Sequence, residues 1–284
     1  MESSEPSERA RQILGIDRLP HGIESKRLTE LVDLKGKRAV VTGAGGVGLG
    51  QAIAHRLASQ GAVVVATDID EGGLERVAQD IEARWGTSCV TICGDVTSWD
   101  DAHRIVRESV GALGGIDIWI NNVGYQIPGE FWELTKDEID TTINAALVGT
   151  LYCTRAILEI MIPQRSGNII NITSEAAKTN FPHVATYKAA KAGVIGFTHA
   201  IATDVGRFGI RVNAVSPGNM VNPASRMIFD PDYAEILDHT MNGVSIGRAA
   251  LPEEVANVVA FLASDASSYV HGAVWSVSGG QSAY

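Results

Sequence analysis

From Lys37 onward, short runs of apolar and β-branched residues alternate with longer stretches of helical period. Strands are predicted at Arg38–Thr42, Ala62–Thr67, Ser88–Cys93, Ile116–Asn121, Asn168–Thr173, Ile210–Val215 and Ala273–Val277. Helices are predicted between them at Leu49–Gln60, Gly72–Trp85, Ser98–Leu113, Lys136–Ile162, Ala185–Phe208 and Pro252–Ala263. The strands read as continuous apolar runs rather than alternating ones, the pattern of strands covered on both faces. Such an order of elements predicts an α/β fold: a doubly wound parallel sheet of about seven strands with helices on both sides.

Two segments break this rhythm. Residues 1–33 are polar and of mixed charge, and they read as an N-terminal extension to a single domain over 34–284. The stretch Asn219–Asn242 exceeds the usual loop length of about 4–6 residues. It carries Met220, Met227, Ile228, Phe229, Tyr233, Ile236, Leu237 and Met241, so it is expected to be a helical insertion.

Composition narrows the class. With 45% hydrophobic and 20% charged residues in 284, there is apolar material for one substantial core. No apolar run reaches the 18 or so residues of a membrane span, and Met1 to Gln12 has no apolar signal core, so a cytoplasmic protein is expected. The net charge of −10 argues against a nucleic-acid partner. Cys89, Cys93 and Cys153 match neither a disulfide framework nor a zinc pattern, and no metal is expected. Cys89 and Cys93, four apart in a strand, read as small buried hydrophobes.

The first chemical signal is the glycine-rich run from Gly43 to Gly50, which follows the first strand and opens the first helix. Glycines there let the backbone turn tightly and approach a pyrophosphate, which the helix N-terminus then holds. Two registers are open. Gly43, Gly45 and Gly48 match G-x-G-x-x-G, whereas Thr42-Gly43 with Gly48 and Gly50 gives a TG-type loop, with Leu49 opening the helix. Asp68 ends the second strand, where a carboxylate can accept from adenosine ribose hydroxyls and would repel a 2′-phosphate. Ile69 offers no positive charge to offset that repulsion, so the expected cofactor is NAD. Asp95 and Val96, ending the third strand, would flank the adenine. The loop and its setting predict a Rossmann-type nucleotide site.

A second signal is Tyr187 with Lys191, four apart in a helix and so on one face. A free tyrosine titrates near 10, too high for a base at neutral pH. An ammonium about 4 Å away at an effective dielectric near 20 favours phenolate by roughly 4 kcal/mol. That would lower the phenol's pKa by up to about 3. Around this pair, Asn121-Asn122-Val123-Gly124 ends the fourth strand, Asn144 follows on a long helix, and Ser174 ends the fifth strand. Asn213-Ala214-Val215-Ser216-Pro217-Gly218 ends the sixth. Apart from Asn144, these fall at carboxyl ends of strands, where open α/β sheets bind ligands.

With these residues the sequence closely resembles the classical short-chain dehydrogenase/reductase family, over about Leu34 to Gly280. The resemblance implies hydride transfer between NAD(H) and a secondary alcohol or ketone, by a tetrad of Asn144, Ser174, Tyr187 and Lys191. In it Tyr187 exchanges the hydroxyl proton and Ser174 orients the substrate oxygen. Lys191 lowers the Tyr187 pKa and binds the nicotinamide ribose, and Asn144 holds a relay water. The resemblance also suggests a homo-oligomer, dimer or tetramer, built through the Lys136–Ile162 and Ala185–Phe208 helices. Cofactor contacts are expected from Asn122, Val123, Gly124, Pro217, Gly218, Met220 and Asn222.

The chain departs from the family pattern at three places. Its glycine loop is one residue longer than TG-x-x-x-G-x-G, Val123 replaces the common alanine, and Asn222 replaces a threonine. Rival readings are an extended sugar-nucleotide enzyme, a catalytically silent NAD-binding sensor or scaffold, and a 3-oxoacyl-thioester reductase. The substrate side is expected to include Gln126, Glu175, His183 and Asn219, with a neutral, largely apolar substrate beneath the insertion. Lys178 and Arg226 stand as the groups that would instead recognise an anion.

Overall fold

A computed structural model describes residues 8–15, 17, 22–221 and 234–282. Two short helices, α1 (Glu8–Leu14) and α2 (Leu28–Leu31), precede the first strand. The strands are β1 (Arg38–Thr42), β2 (Val63–Asp68), β3 (Cys89–Cys93), β4 (Ile118–Asn121), β5 (Gly167–Ile172), β6 (Ile210–Pro217) and β7 (Val274–Val277). They form one sheet in the order β3-β2-β1-β4-β5-β6-β7, and every pairing is parallel. The order reverses direction between β1 and β4. Loops leaving those two strands diverge to opposite faces, which opens a crevice at their carboxyl ends.

Helices α3 (Leu49–Ser59), α4 (Glu71–Trp85), α5 (Trp99–Leu113), α6 (Lys136–Ile143), α7 (Gly149–Gln164) and α8 (Ala185–Val205) connect the strands, with a further helix at Pro252–Ala263. Two separate apolar clusters fill the two faces. One joins Val41, Ile53, Leu57, Val64, Ile120 and Val259, the other Val40, Val65, Trp119, Ile157, Ile169 and Val212. Adjacent residues Val40 and Val41 therefore point into different cores, as a strand covered on both sides requires. Caps fix where helices begin: the Asp70 carboxylate accepts from the Gly73 amide at 3.0 Å, and Ser98 accepts from Asp101 at 3.3 Å.

Three expectations need correction. Cys93 is exposed and Cys89 only half-buried, because β3 is an edge strand whose burial is incomplete. The predicted helix from Lys136 is broken by a π-helical turn at Asn144–Val148, where the Gly149 amide donates to the Asn144 carbonyl. The whole stretch Lys136–Gln164 is, by length and composition, apolar enough to cross a membrane. Half of its most apolar window is buried inside the domain, where α7 packs on α5, β4 and β5, so it is read as a core helix.

Candidate active site

The carboxyl ends of the strands surround a cavity of about 920 Å³, running from Asp68 and Ile69 at one end to Tyr187 and Gln281 at the other. At the first end, backbone shape dominates. Gly43 holds left-handed backbone at φ +67°, and a Cβ on Gly50 would lie 2.0 Å from the Gly43 carbonyl oxygen. Helix α3 can begin this close to the strand end only with glycine at that point. Asn122 clamps the same turn, donating through Nδ2 to the Thr42 carbonyl at 3.0 Å and the Gly43 carbonyl at 3.1 Å. Asn122 lines the cavity, but its amide protons are committed to the loop.

The cavity wall follows the second of the two registers. Gly43, Gly48, Leu49 and Gly50 line the cavity, and Gly45 does not. Gly45 is turned toward α4: its amide donates to Asp68 Oδ2 at 3.0 Å, and its carbonyl would stand 2.1 Å from a Cβ on Gly73. Gly46 and Val47 take its place on the cavity wall. The extra residue of the loop is thus absorbed by packing against α4.

Asp68 also accepts from the Asp70 amide through Oδ1, at 3.1 Å. A carboxylate has about four acceptor sites, so capacity for ribose hydroxyls remains. Asp95 accepts from the Thr97 amide and hydroxyl, both at 2.8 Å. Asp95 and Val96 line the cavity, as do Val123, Gly124, Gln126, Pro217, Gly218, Asn219 and Met220. Asn222 and Arg226 lie outside the described residues, as does much of the Asn219–Asn242 insertion. Its described part includes a helix at Ala234–Met241.

The four tetrad positions converge at the other end, all on the cavity wall. Asn144 opens the π-helical turn, a local widening of the helix often found at functional sites. Ser174 Oγ accepts from the Ala176 amide at 3.2 Å and hydrogen-bonds Tyr187. Lys191, 1% exposed, donates from Nζ to the Ile172 carbonyl at 2.8 Å and lies 3.5 Å from that of Val123. A Cβ on Gly124 would come within 3.0 Å of Lys191 Nζ and 3.9 Å of Tyr187 Oη. A side chain at 124 would thus press on Lys191.

The electrostatics differ from the expectation. Tyr187 and Lys191 share a face, but the ammonium is 5.8 Å from the ring centre and points toward strand carbonyls. Burial pushes the Tyr187 phenol up to about 12, partly offset by the hydrogen bond to Ser174. Burial likewise pulls Lys191 down to about 8. Desolvation therefore exceeds the attraction that spacing alone suggested.

Two of the expected substrate contacts change character. Glu175 lines the cavity but is ion-paired with Lys178 at 3.0 Å, which also donates to Ser276 at 2.6 Å. His183 does not line the cavity. It is held in left-handed backbone at φ +59°, with Nδ1 3.4 Å from Glu130. Sequence reasoning missed Gln281, which lies just beyond β7. The rule that ligands gather at carboxyl ends of strands applies to that strand as well.

A family model described as "Enoyl-(Acyl carrier protein) reductase" matches residues 43–282. The chain belongs to the short-chain dehydrogenase/reductase family. Within that family it is 35% identical to the 3-oxoacyl-[acyl-carrier-protein] reductase of Thermotoga maritima, over 87% of this chain and 98% of the relative. It is 34% identical to the (2S)-[(R)-hydroxy(phenyl)methyl]succinyl-CoA dehydrogenase subunit BbsD of Thauera aromatica, over 88% and 98%. The crystal structure of levodione reductase superposes with a TM-score of 0.83 at 30% identity, covering 88% of this chain and 99% of that one. A short-chain dehydrogenase/reductase of this kind is an oxidoreductase that binds a nicotinamide cofactor.

Proposed function

We propose that the protein is an NAD-preferring dehydrogenase/reductase acting on a secondary alcohol or ketone, with Tyr187 as the general acid/base. The observation that carries this reading is the convergence of Asp68, the glycine turn and the tetrad on one continuous cavity. The residues fit a dinucleotide: a turn in which glycine alone leaves room, a strand-end carboxylate with acceptor capacity, and space reaching Tyr187. When bound, the nicotinamide would supply or accept the hydride. The carboxylate of Asp68 favours a ribose bearing a free 2′-hydroxyl over one bearing a phosphate.

In the reducing direction the Tyr187 phenol, kept protonated by its burial, gives its proton to the forming alkoxide. Ser174 holds the substrate oxygen beside it, with its Oγ oriented by the Ala176 amide. Lys191 supplies nearby positive charge as the phenolate forms, and Asn144 marks the way for a replacement proton from solvent. Oxidation runs these steps backward.

A 3-oxoacyl thioester remains the second reading, favoured by the acyl-carrier-protein and coenzyme A substrates in the names of two relatives. Against it, Lys178 is engaged with Glu175 and Ser276. We also propose a homo-oligomer, since half of the most apolar window of Lys136–Gln164 is left unburied by the single chain.

The test is a screen of secondary alcohols and ketones with both cofactors, on wild type and Tyr187→Phe. The variant should lose about 10²–10⁴-fold in kcat, the usual worth of a positioned proton-transfer group. Cofactor binding should persist. A variant keeping more than about a tenth of wild-type kcat would remove Tyr187 from the mechanism.

A further inference from the structure

After β7 the chain turns sharply and returns over the cavity. Gly279 and Gly280 hold left-handed backbone at φ +61° and +83°, and neither has room for a side chain. A Cβ on Gly279 would lie 2.9 Å from Val244, and one on Gly280 would lie 2.8 Å from Ser245 Oγ. The Ile246 amide donates to the Gly279 carbonyl at 3.0 Å, and the Ser245 hydroxyl donates to that of Gly280 at 3.4 Å. Farther on, the Ser282 hydroxyl donates to Glu175 Oε2, and Glu175 is the residue that follows Ser174. That carboxylate is 1% exposed and braced by Lys178. The returning segment is anchored on both sides.

Gln281 stands between the anchors and lines the cavity. Its Nε2 donates to the Thr240 carbonyl at 3.3 Å, in the helix Ala234–Met241. This bond fixes which side of the amide carries the oxygen. Oε1 rests against Gly218, where a Cβ would lie 3.0 Å away, and it is buried with no donor. The next residue, Asn219, also lines the cavity, and its Nδ2 is buried with no acceptor. Buried polar groups are nearly always paired. The wall at Gly218 and Asn219 therefore carries one unmet acceptor and one unmet donor, and a hydroxyl group offers the complement to each.

We propose that Gln281 and Asn219 read the substrate, and that the substrate carries a neutral hydroxyl group besides its reacting carbon. The class is hydroxyketones and the corresponding diols, rather than the largely apolar ketone expected from the sequence. The inference rests on Tyr187 and Ser174 being the reacting end of this cavity. The carboxamide of a nicotinamide offers the same donor and acceptor, so the experiment must separate the two sources.

Initial rates are measured with the full-length enzyme and NADH on cyclohexanone, 2-hydroxycyclohexanone and 3-hydroxycyclohexanone. One hydroxylated ketone should exceed the parent in kcat/KM by about tenfold or more, as expected when a site's polar groups would otherwise stay unpaired. In Gln281→Leu, and separately in Asn219→Ala, this ratio should fall toward one. The Kd for NADH, read from its fluorescence without substrate, should stay within about twofold of wild type. Two variants guard against one that fails to fold. Turnover of cyclohexanone with no preference for a hydroxylated partner overturns the inference alone, as does a ratio that survives both substitutions. A large loss of NADH affinity with the ratio unchanged assigns the two amides to the cofactor and also overturns it. Absence of turnover with every ketone removes the underlying reading of the site as well.

Discussion

At the Asp68 end of the cavity the surface offered to a ligand is mostly backbone, whereas at the Tyr187 end it is mostly side chain. At the first end the groups that shape the turn are paired within the chain itself. Asp68 accepts two amides, Asn122 donates to two carbonyls, and Gly50 fills a space with no room for a methyl. The second end is held under electrostatic tension: Tyr187 is pushed up to about 12, Lys191 down to about 8, and amide atoms of Asn219 and Gln281 lack partners. A site made of backbone is set by volume, and one made of buried side chains by charge and polarity. The two ends should therefore fail in different ways.

The sharpest break belongs to volume. Gly50→Ala places a Cβ 2.0 Å from the Gly43 carbonyl oxygen, a backbone atom that cannot swing aside. The expected loss of stability is about 3 kcal/mol, the upper part of the usual range for overpacking. NADH affinity should drop by about tenfold or more, because the displaced turn is the one proposed to face the pyrophosphate. Denaturant titration and NADH fluorescence measure the two. Wild-type values for both would mean the loop yields easily, and the distinction between the ends would collapse.

Charge at this same end gives a smaller effect, of a different kind. Asp68 is expected to favour NAD(H), and Ile69, 72% exposed, has room to become longer. Asp68→Ser with Ile69→Arg should shift the ratio of kcat/KM from NADH toward NADPH by about 30-fold, roughly 2 kcal/mol of reversed charge interaction. Equal use of both cofactors by the wild type would instead leave Asp68 as a brace for Gly45 and nothing more.

What the sequence made legible follows the same division. The strands were found to within two residues because the inner ones are covered on both faces, which leaves their apolar runs unbroken. The tetrad was found because its spacing and strand-end positions recur in the family. The π-helical turn at Asn144 was invisible, since one wider turn leaves the apolar pattern of Lys136–Gln164 intact. The burial of Cys93 was misjudged because edge position depends on strand order, which no local pattern carries. Spacing placed Lys191 beside Tyr187 but could not reveal how fully Lys191 is buried. Gln281 was missed because only the turn at Gly279 and Gly280 brings it back to the cavity.

The smallest expected effect tests that desolvation directly. Lys191 falls from 10.5 to about 8 through burial. Between those values the folded protein holds it neutral while the unfolded chain still binds the proton. The unfolded state then carries more protons, so this lysine's contribution to stability rises with pH across that window. Lys191→Met removes the titration. The gap in Tm between the cofactor-free wild type and the variant should therefore move in the wild type's favour from about pH 7.5 to 9.5, by a few degrees. That range stays below the window in which Tyr187, raised from 10.0 to about 12, acts with the opposite sign. There the folded state keeps a proton the unfolded chain has lost, and stability declines as pH rises. Gly50→Ala supplies the contrast, since no proton is involved in its clash and its stability deficit should be constant over the same range. A Lys191→Met gap that is equally flat would show that the ammonium keeps its charge in the folded protein. The electrostatic part of the contrast between the two ends of the cavity would then collapse.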